Sequence, residues 1–220
     1  MRKILSYFLP VSIKKYNSAF NTIEIQMHNG KYILDSKNVN YSYGSLELIL
    51  EKALKFIGFK TIKKYKKALV LGVAGGSVIS TLYDKINYNG KIVAVDLDKE
   101  MLSLATDFFM LKKHSNCTFV HKDAFDFCNE TKEQFDLIIV DLFLDTEMPE
   151  FIFENTFHNN LQKQIQKNGF IIINTMFSDN IKAQKRINII ESFYSEINFK
   201  TTVLEKVLGT NDVLIIKALP

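Results

Sequence analysis

The sequence predicts an α/β fold: one seven-stranded, mostly parallel sheet with a C-terminal antiparallel strand pair, preceded by a small N-terminal β-hairpin region. Three observations carry this. Apolar runs alternate with helix-spaced segments over about residues 67 to 174, with short connections between them, as in a parallel sheet covered by helices on both faces. The run Ala68-Leu69-Val70-Leu71 passes through a glycine turn into a helix, and the next run, Lys91-Ile92-Val93-Ala94-Val95-Asp96, ends in a carboxylate. Last, two runs at 201 to 207 and 213 to 217 flank a turn containing Gly209, which reads as an antiparallel pair.

The elements follow in order. Thr22-Ile23-Glu24-Ile25-Gln26-Met27 and Lys31-Tyr32-Ile33-Leu34 flank His28-Asn29-Gly30, and Asn-Gly is the strongest short hairpin signal. Residues 1 to 43 are therefore expected to form an appendage and residues 44 to 220 the main domain. After Gly44-Ser45, apolar residues recur at helical spacing from Leu46 to Ile57, ending at Gly58, so a helix capped by Ser45 is expected against the sheet. Parallel strands are expected at 68 to 72, 91 to 96, 117 to 121, 135 to 141 and 169 to 174, and a further helix at about 179 to 195. Phe135-Asp136-Leu137-Ile138-Ile139-Val140-Asp141 is nearly all apolar, as a strand buried on both faces must be.

The turn Gly72-Val73-Ala74-Gly75-Gly76-Ser77 and Asp96 together form one adenosine-binding half-site of a Rossmann-like sheet. Glycines let the backbone bend and let a ligand approach closely, while a carboxylate at the next strand tip can accept hydrogen bonds from a ribose diol. The order G-x-x-G-G-x matches neither the G-x-G-x-x-G of dinucleotide binding nor the P-loop. Ligand sites in open sheets lie beyond the carboxyl ends of the strands, where Asp96, Asp123 and Asp141 gather. A phosphate-free nucleoside, S-adenosylmethionine, fits such a turn.

Composition limits the partners. With 220 residues, 47% hydrophobic and 24% charged, the chain can bury one ordinary α/β core. The net charge is +4, but Arg2 and Arg186 are the only arginines, so the forked donor favoured for phosphate and base recognition is nearly absent and no nucleic-acid partner is expected. No run approaches the ~20 apolar residues of a membrane span. Met1-Arg2-Lys3 and the apolar run after it imitate a signal peptide, but no small-residue cleavage site follows and Lys14-Lys15 come early. Two cysteines, Cys117 and Cys128, make no disulfide framework, and a reduced, cytoplasmic setting is expected. His28, His114, His121 and His158 are scattered, without metal-ligand spacing. They read as solvated or capping residues, and no metal is expected.

The seven-stranded order with its closing pair resembles the class I S-adenosylmethionine-dependent methyltransferase superfamily. More narrowly, the chain is similar to spermidine synthase-like proteins. The motifs are the turn at 71 to 77, Val95-Asp96-Leu97-Asp98, Lys122-Asp123-Ala124-Phe125, and the run Phe135 to Asp141. The resemblance implies that Asp96 holds the ribose hydroxyls, Asp123 the adenine amino group, and the backbone from Gly72 through Val73, Ala74, Gly75 and Gly76 to Ser77 the amino-acid or aminopropyl arm, with Leu97, Ala124 and Asp141 also lining the cofactor. It also implies a homodimer.

Three departures stand beside these matches. Gly75 occupies the place of the family's turn acid, which holds the aminopropyl amine. Leu144 falls where the acid serving as base is expected, with Asp145 next to it. The segment Asn40 to Glu47 lacks the polyamine-reading pattern. Gly75 leaves room for a carboxylate near backbone N–H groups at a helix start. Methyl transfer from S-adenosylmethionine to a small-molecule acceptor is therefore expected, with Asp141 or Asp145 as orienter or base and Tyr41 and Tyr43 as acceptor contacts. The alternatives are aminopropyl transfer from decarboxylated S-adenosylmethionine, and a non-catalytic nucleoside-binding or partner protein.

Overall fold

The computed structural model describes residues 2–17, 20, 22–36, 40–42, 45–107, 115–144, 147–176, 180–209 and 211–220. Two sheets organise them. A four-stranded antiparallel sheet is formed by β1 (Val11–Asn17), β2 (Thr22–His28), β3 (Lys31–Ser36) and β4 (Asn40–Ser42), in that order. The expected hairpin is its centre. His28 pairs with Lys31, and Asn29 and Gly30 have φ of 51° and 74°, the double positive φ that a two-residue turn matching strand twist requires. The addition of β1 and β4 extends the expected hairpin, because a lone two-stranded ribbon is marginal in water.

The main sheet holds β5 (Lys67–Leu71), β6 (Lys91–Asp96), β7 (Cys117–His121), β8 (Phe135–Val140), β9 (Ile165–Met176), β10 (Phe199–Val207) and β11 (Asn211–Ala218). Their order is β10-β11-β9-β8-β5-β6-β7. Pairing is parallel from β7 to β9 and antiparallel from β9 through β11 to β10. Strand β9 begins four residues before its expected start. Ile165 pairs with Phe135, and the register then shifts before Phe170 meets Leu137, through Asn168 at φ 65°.

Period-two alternation sorts the strand residues into two cores. Val70, Ile139, Ile172, Val213 and Ile215 face one side, where they pack with Ile49, Ala53 and Leu54 of α2 (Ser45–Ile57) and with Val78 and Ile79 of α4 (Ser77–Ser80). On the other side Leu71, Ile138, Val140, Ile173 and Leu214 pack with Phe157 and Leu161 of α7 (Asn155–Gln164) and with Ile187 and Ile190 of α8 (Asn180–Ser192). Each such side chain, fully removed from water, contributes about 1.5–3 kcal/mol. Of two short helices, α1 (Arg2–Leu5) buries no residue and α3 (Phe59–Ile62) adds Ile62 to the first core, while α5 (Lys99–Asp107) and α6 (Ala124–Glu130) follow β6 and β7. The small sheet joins the main one through Ile25 packed with Met101 and Leu104 of α5.

His158 corrects an expectation. Rather than solvated or capping, it is fully buried. Its Nε2 lies 2.7 Å from the Ile152 carbonyl and its Nδ1 2.9 Å from the Tyr194 hydroxyl. A carbonyl only accepts, so Nε2 carries the proton and Nδ1 accepts from Tyr194. Burial lowers its pKa to about 4. No described helix is long and apolar enough to cross a membrane.

Candidate active site

Strands β5, β6 and β8 end side by side, and their ends build the site. The Asp141 N–H donates to the Leu71 carbonyl and the Gly72 N–H to that of Val95, both at 2.9 Å. The chain must turn here with φ 87° at Gly72, and a Cβ there would meet the Asp141 carbonyl oxygen at 2.1 Å. The turn continues through Ala74 at φ 44° and Gly76 at φ 75°. Gly75 lies between them, and the Gly76 N–H closes the turn onto the Val73 carbonyl at 2.7 Å.

Asp96 caps this turn from β6. Its Oδ2 accepts from the N–H groups of Val73 at 2.8 Å and Ala74 at 3.1 Å, and its Oδ1 from Asp98 at 2.9 Å. Burial pushes the carboxyl above the usual carboxylate range, against the pull of those three donors. The N–H groups of Gly72, Val73, Ala74 and Gly76 are thus all paired within the protein. Consecutive backbone N–H groups form an anion-binding nest, and here the anion in the nest is Asp96 itself. Oδ1 keeps room for one more donor, such as a ribose hydroxyl, because each carboxylate oxygen offers about two acceptor positions.

Asp141 stands across Gly72 from Asp96. Its Oδ1 accepts from Asn174 Nδ2 at 2.8 Å. Enclosure of the carboxyl group raises its pKa to about 6, with the Asn174 hydrogen bond opposing and the charge of Asp96 adding to the rise. Asp141 is not a helix cap. The caps at this rim are Asp98, whose Oδ1 accepts from Glu100 and Met101 N–H at 3.0 and 3.2 Å, and Asp123, whose Oδ1 accepts from Phe125 and Asp126 N–H at 2.7 and 3.2 Å.

The other expected contacts divide. Leu97 is exposed at the rim, with its carbonyl 3.0 Å from His121 Nε2. Ala124 opens α6 with its side chain in the second core beside Cys128, which leaves only its backbone for a nucleoside. Leu144 is exposed and exchanges backbone hydrogen bonds with Glu147. Tyr41 is placed on β4 by its backbone. Asp145 and Tyr43 lie outside the described residues. Among the described residues no group of histidines, cysteines and acids is arranged to hold a metal. Sequence reasoning missed Asn174 and its partner Asn211, whose Nδ2 donates to Asn174 Oδ1 at 3.0 Å. The signal available was a polar residue closing the apolar run Phe170-Ile171-Ile172-Ile173.

Residues 47–206 match the spermine/spermidine synthase domain. The chain belongs to the spermine/spermidine synthase family. Within this family it is 31% identical over 120 residues to polyamine aminopropyltransferase 2 of Aquifex aeolicus, covering 50% of this chain and 24% of that protein. It is 24% identical over 132 residues to polyamine aminopropyltransferase of Clostridium beijerinckii, covering 57% of this chain and 45% of that protein. The chain therefore matches less than half the length of either relative. The fold is shared with a probable spermidine synthase from Corynebacterium glutamicum, at TM-score 0.77 and 13% identity over 93% of this chain and 79% of that one. Spermidine synthase from Thermotoga maritima shares it at TM-score 0.70 and 15% identity over 94% and 72%. Human methyltransferase-like protein 13 shares it at TM-score 0.65 and 20% identity over 81% and 84%.

The expectation of methyl transfer is corrected by this family membership and by the names of both relatives. Its physical basis was room for a carboxylate against backbone N–H groups at the turn. Asp96 already holds two of those groups.

Proposed function

We propose that this spermine/spermidine synthase family protein transfers the aminopropyl group of decarboxylated S-adenosylmethionine to an aliphatic amine. The observation that carries the reading is the pairing of Asp96 with the turn, together with Asp141 across Gly72. Among the described residues no lysine or arginine offsets the charge of either carboxyl. A methionine carboxylate brought to this turn meets like charge and occupied donors, whereas an arm ending in an ammonium meets attraction.

The chemistry is an in-line displacement at the carbon next to the sulfonium. The amine lone pair forms the C–N bond while the C–S electron pair returns to sulfur, releasing methylthioadenosine, and the nitrogen gives up one proton. Held in line, the two reactants mainly need positioning and a nearby proton acceptor. Asp141, with its pKa near 6, suits that role, and Asp145 is the second candidate. Asp96 Oδ1 would take a ribose hydroxyl, and the remaining oxygen of Asp123 the adenine amino group. Tyr41 and Tyr43 are assigned to the acceptor.

The test is methylthioadenosine release from decarboxylated S-adenosylmethionine with a panel of aliphatic diamines, followed by mass analysis of the lengthened amine. Release that depends on both substrates supports the reading. Tight binding of the nucleoside with no release overturns it in favour of a binding protein.

A further inference from the structure

Two buried amides run from the β10–β11 hairpin into the site. Asn211 and Asn174 are 1% and 0% exposed. Both lie on the face of the sheet covered by α2, in step with Val213 and Ile172 of the first core. Asn211 Nδ2 donates to Asn174 Oδ1 at 3.0 Å, and Asn174 Nδ2 donates to Asp141 Oδ1 at 2.8 Å. The direction of this chain is chemically fixed. An ionised carboxylate only accepts, so the NH2 end of Asn174 must face Asp141 and its oxygen must face away. That oxygen is where Asn211 donates, so a flip of the Asn174 amide would lose both bonds.

The hairpin is built to hold Asn211 in place. Asn211 pairs with Val207 on one side and Met176 on the other. A bulge between Leu204 and Val207 adjusts the register to this pairing. Its neighbour Asp212 locks the hairpin, its Oδ1 accepting from the Lys206 N–H and its carbonyl from the Thr175 hydroxyl, both at 2.7 Å.

We propose that Asn174, locked by Asn211, is a positioning residue that holds the Asp141 carboxylate ready to take the proton of the attacking amine. This rests on the transfer reading above. Asn174 does two things for Asp141. It fixes one carboxylate oxygen and so leaves the other to face the reacting nitrogen, and it stabilises the ionised form against burial and the charge of Asp96. Among the described residues, Asp96 is the titratable group that faces Asp141, from β6 across the turn. The groups contributed by β9 and β11, Asn174 and Asn211, carry no charge, and the Asp212 carboxylate is engaged with Lys206.

The experiment is the pH dependence of kcat/KM for the wild-type protein, Asn174→Leu, Asn211→Leu and the double variant, with the carboxyl titration of Asp141 followed by carbon NMR in the ligand-free protein. In Asn174→Leu the Asp141 midpoint and the acid limb move up together by about one pH unit, since a hydrogen bond to the ionised form is lost. Asn211→Leu moves them the same way by less, and adds nothing in the Asn174→Leu background. Asn174→Gln, which keeps the donor, recovers part of the shift. An unmoved Asp141 midpoint in Asn174→Leu overturns the proposal, as does an additive double variant. Should Asn174→Leu fail to fold, the Asn211→Leu midpoint decides. Failure of the wild-type protein to release methylthioadenosine strikes the transfer reading, which the NMR titration does not depend on.

Discussion

The backbone of Gly72 passes so close to Asp141 that a Cβ at position 72 would lie 2.1 Å from the Asp141 carbonyl oxygen and 2.8 Å from its carbon. The turn and the acid that faces it are thus one unit, and neither can shift alone. Gly72→Ala meets backbone that cannot rotate away and also requires φ near 87°. It is expected to destabilise the protein by about 2–4 kcal/mol, from left-handed strain together with the clash, measured as a lowered urea midpoint.

Ala74 carries the opposite prediction. It holds φ 44°, a conformation that costs an L-residue about 1–2 kcal/mol. Ala74→Gly relieves that strain and gives back some unfolded-chain entropy. A net gain of about 0.5–1 kcal/mol is expected by denaturant unfolding, and a loss would show that the strain is absent.

Much of this region was legible in the sequence, for a physical reason. Strands buried on both faces must be apolar throughout, so Leu69 to Leu71 and Leu137 to Val140 announced themselves, and a chain leaving such a strand toward a helix needs glycine. What Asp96 does was not legible. Its spacing from the turn marked it for a ribose, but its bonds to Val73 and Ala74 follow from how β6 lies against β5. Asn174 and Asn211 meet only through the β9–β11 register, 37 residues apart. His158 looked polar and isolated, yet Phe157 and Leu161 on the same short helix carry it into the core. Gly75 pointed to methyl transfer by leaving room for a carboxylate, but the Asp96 carboxylate already takes the neighbouring N–H groups of Val73 and Ala74.

Asp96→Ala should separate binding from folding. Loss of its one remaining acceptor position is expected to weaken nucleoside binding about tenfold, or ~1.5 kcal/mol. Because three backbone N–H groups also lose their partner, the unfolding midpoint should fall as well. Unchanged affinity in a folded variant would remove Asp96 from the nucleoside site.

Two titratable groups, the buried His158 and the partly buried Asp141, give opposing pH effects. His158 takes a proton near 6.5 when unfolded but near 4 when folded, so acid over that interval favours unfolding. Asp141 takes a proton near 6 when folded but near 3.8 when unfolded, so over that interval stability falls as pH rises. Asp141→Asn removes the second effect alone. Its stability relative to wild type should grow by about 2 kcal/mol between pH 4 and pH 7, read from paired urea curves. A constant difference would show that Asp141 titrates normally.

The most direct test of the account is a calorimetric titration of the protein with decarboxylated S-adenosylmethionine and, separately, with S-adenosylmethionine. With Asp96 filling the N–H nest and Asp141 beside it, the decarboxylated form should bind at least about tenfold tighter. Tighter binding of the carboxylated form would contradict the account, because the turn would then be accepting an anion where its own carboxylate already sits.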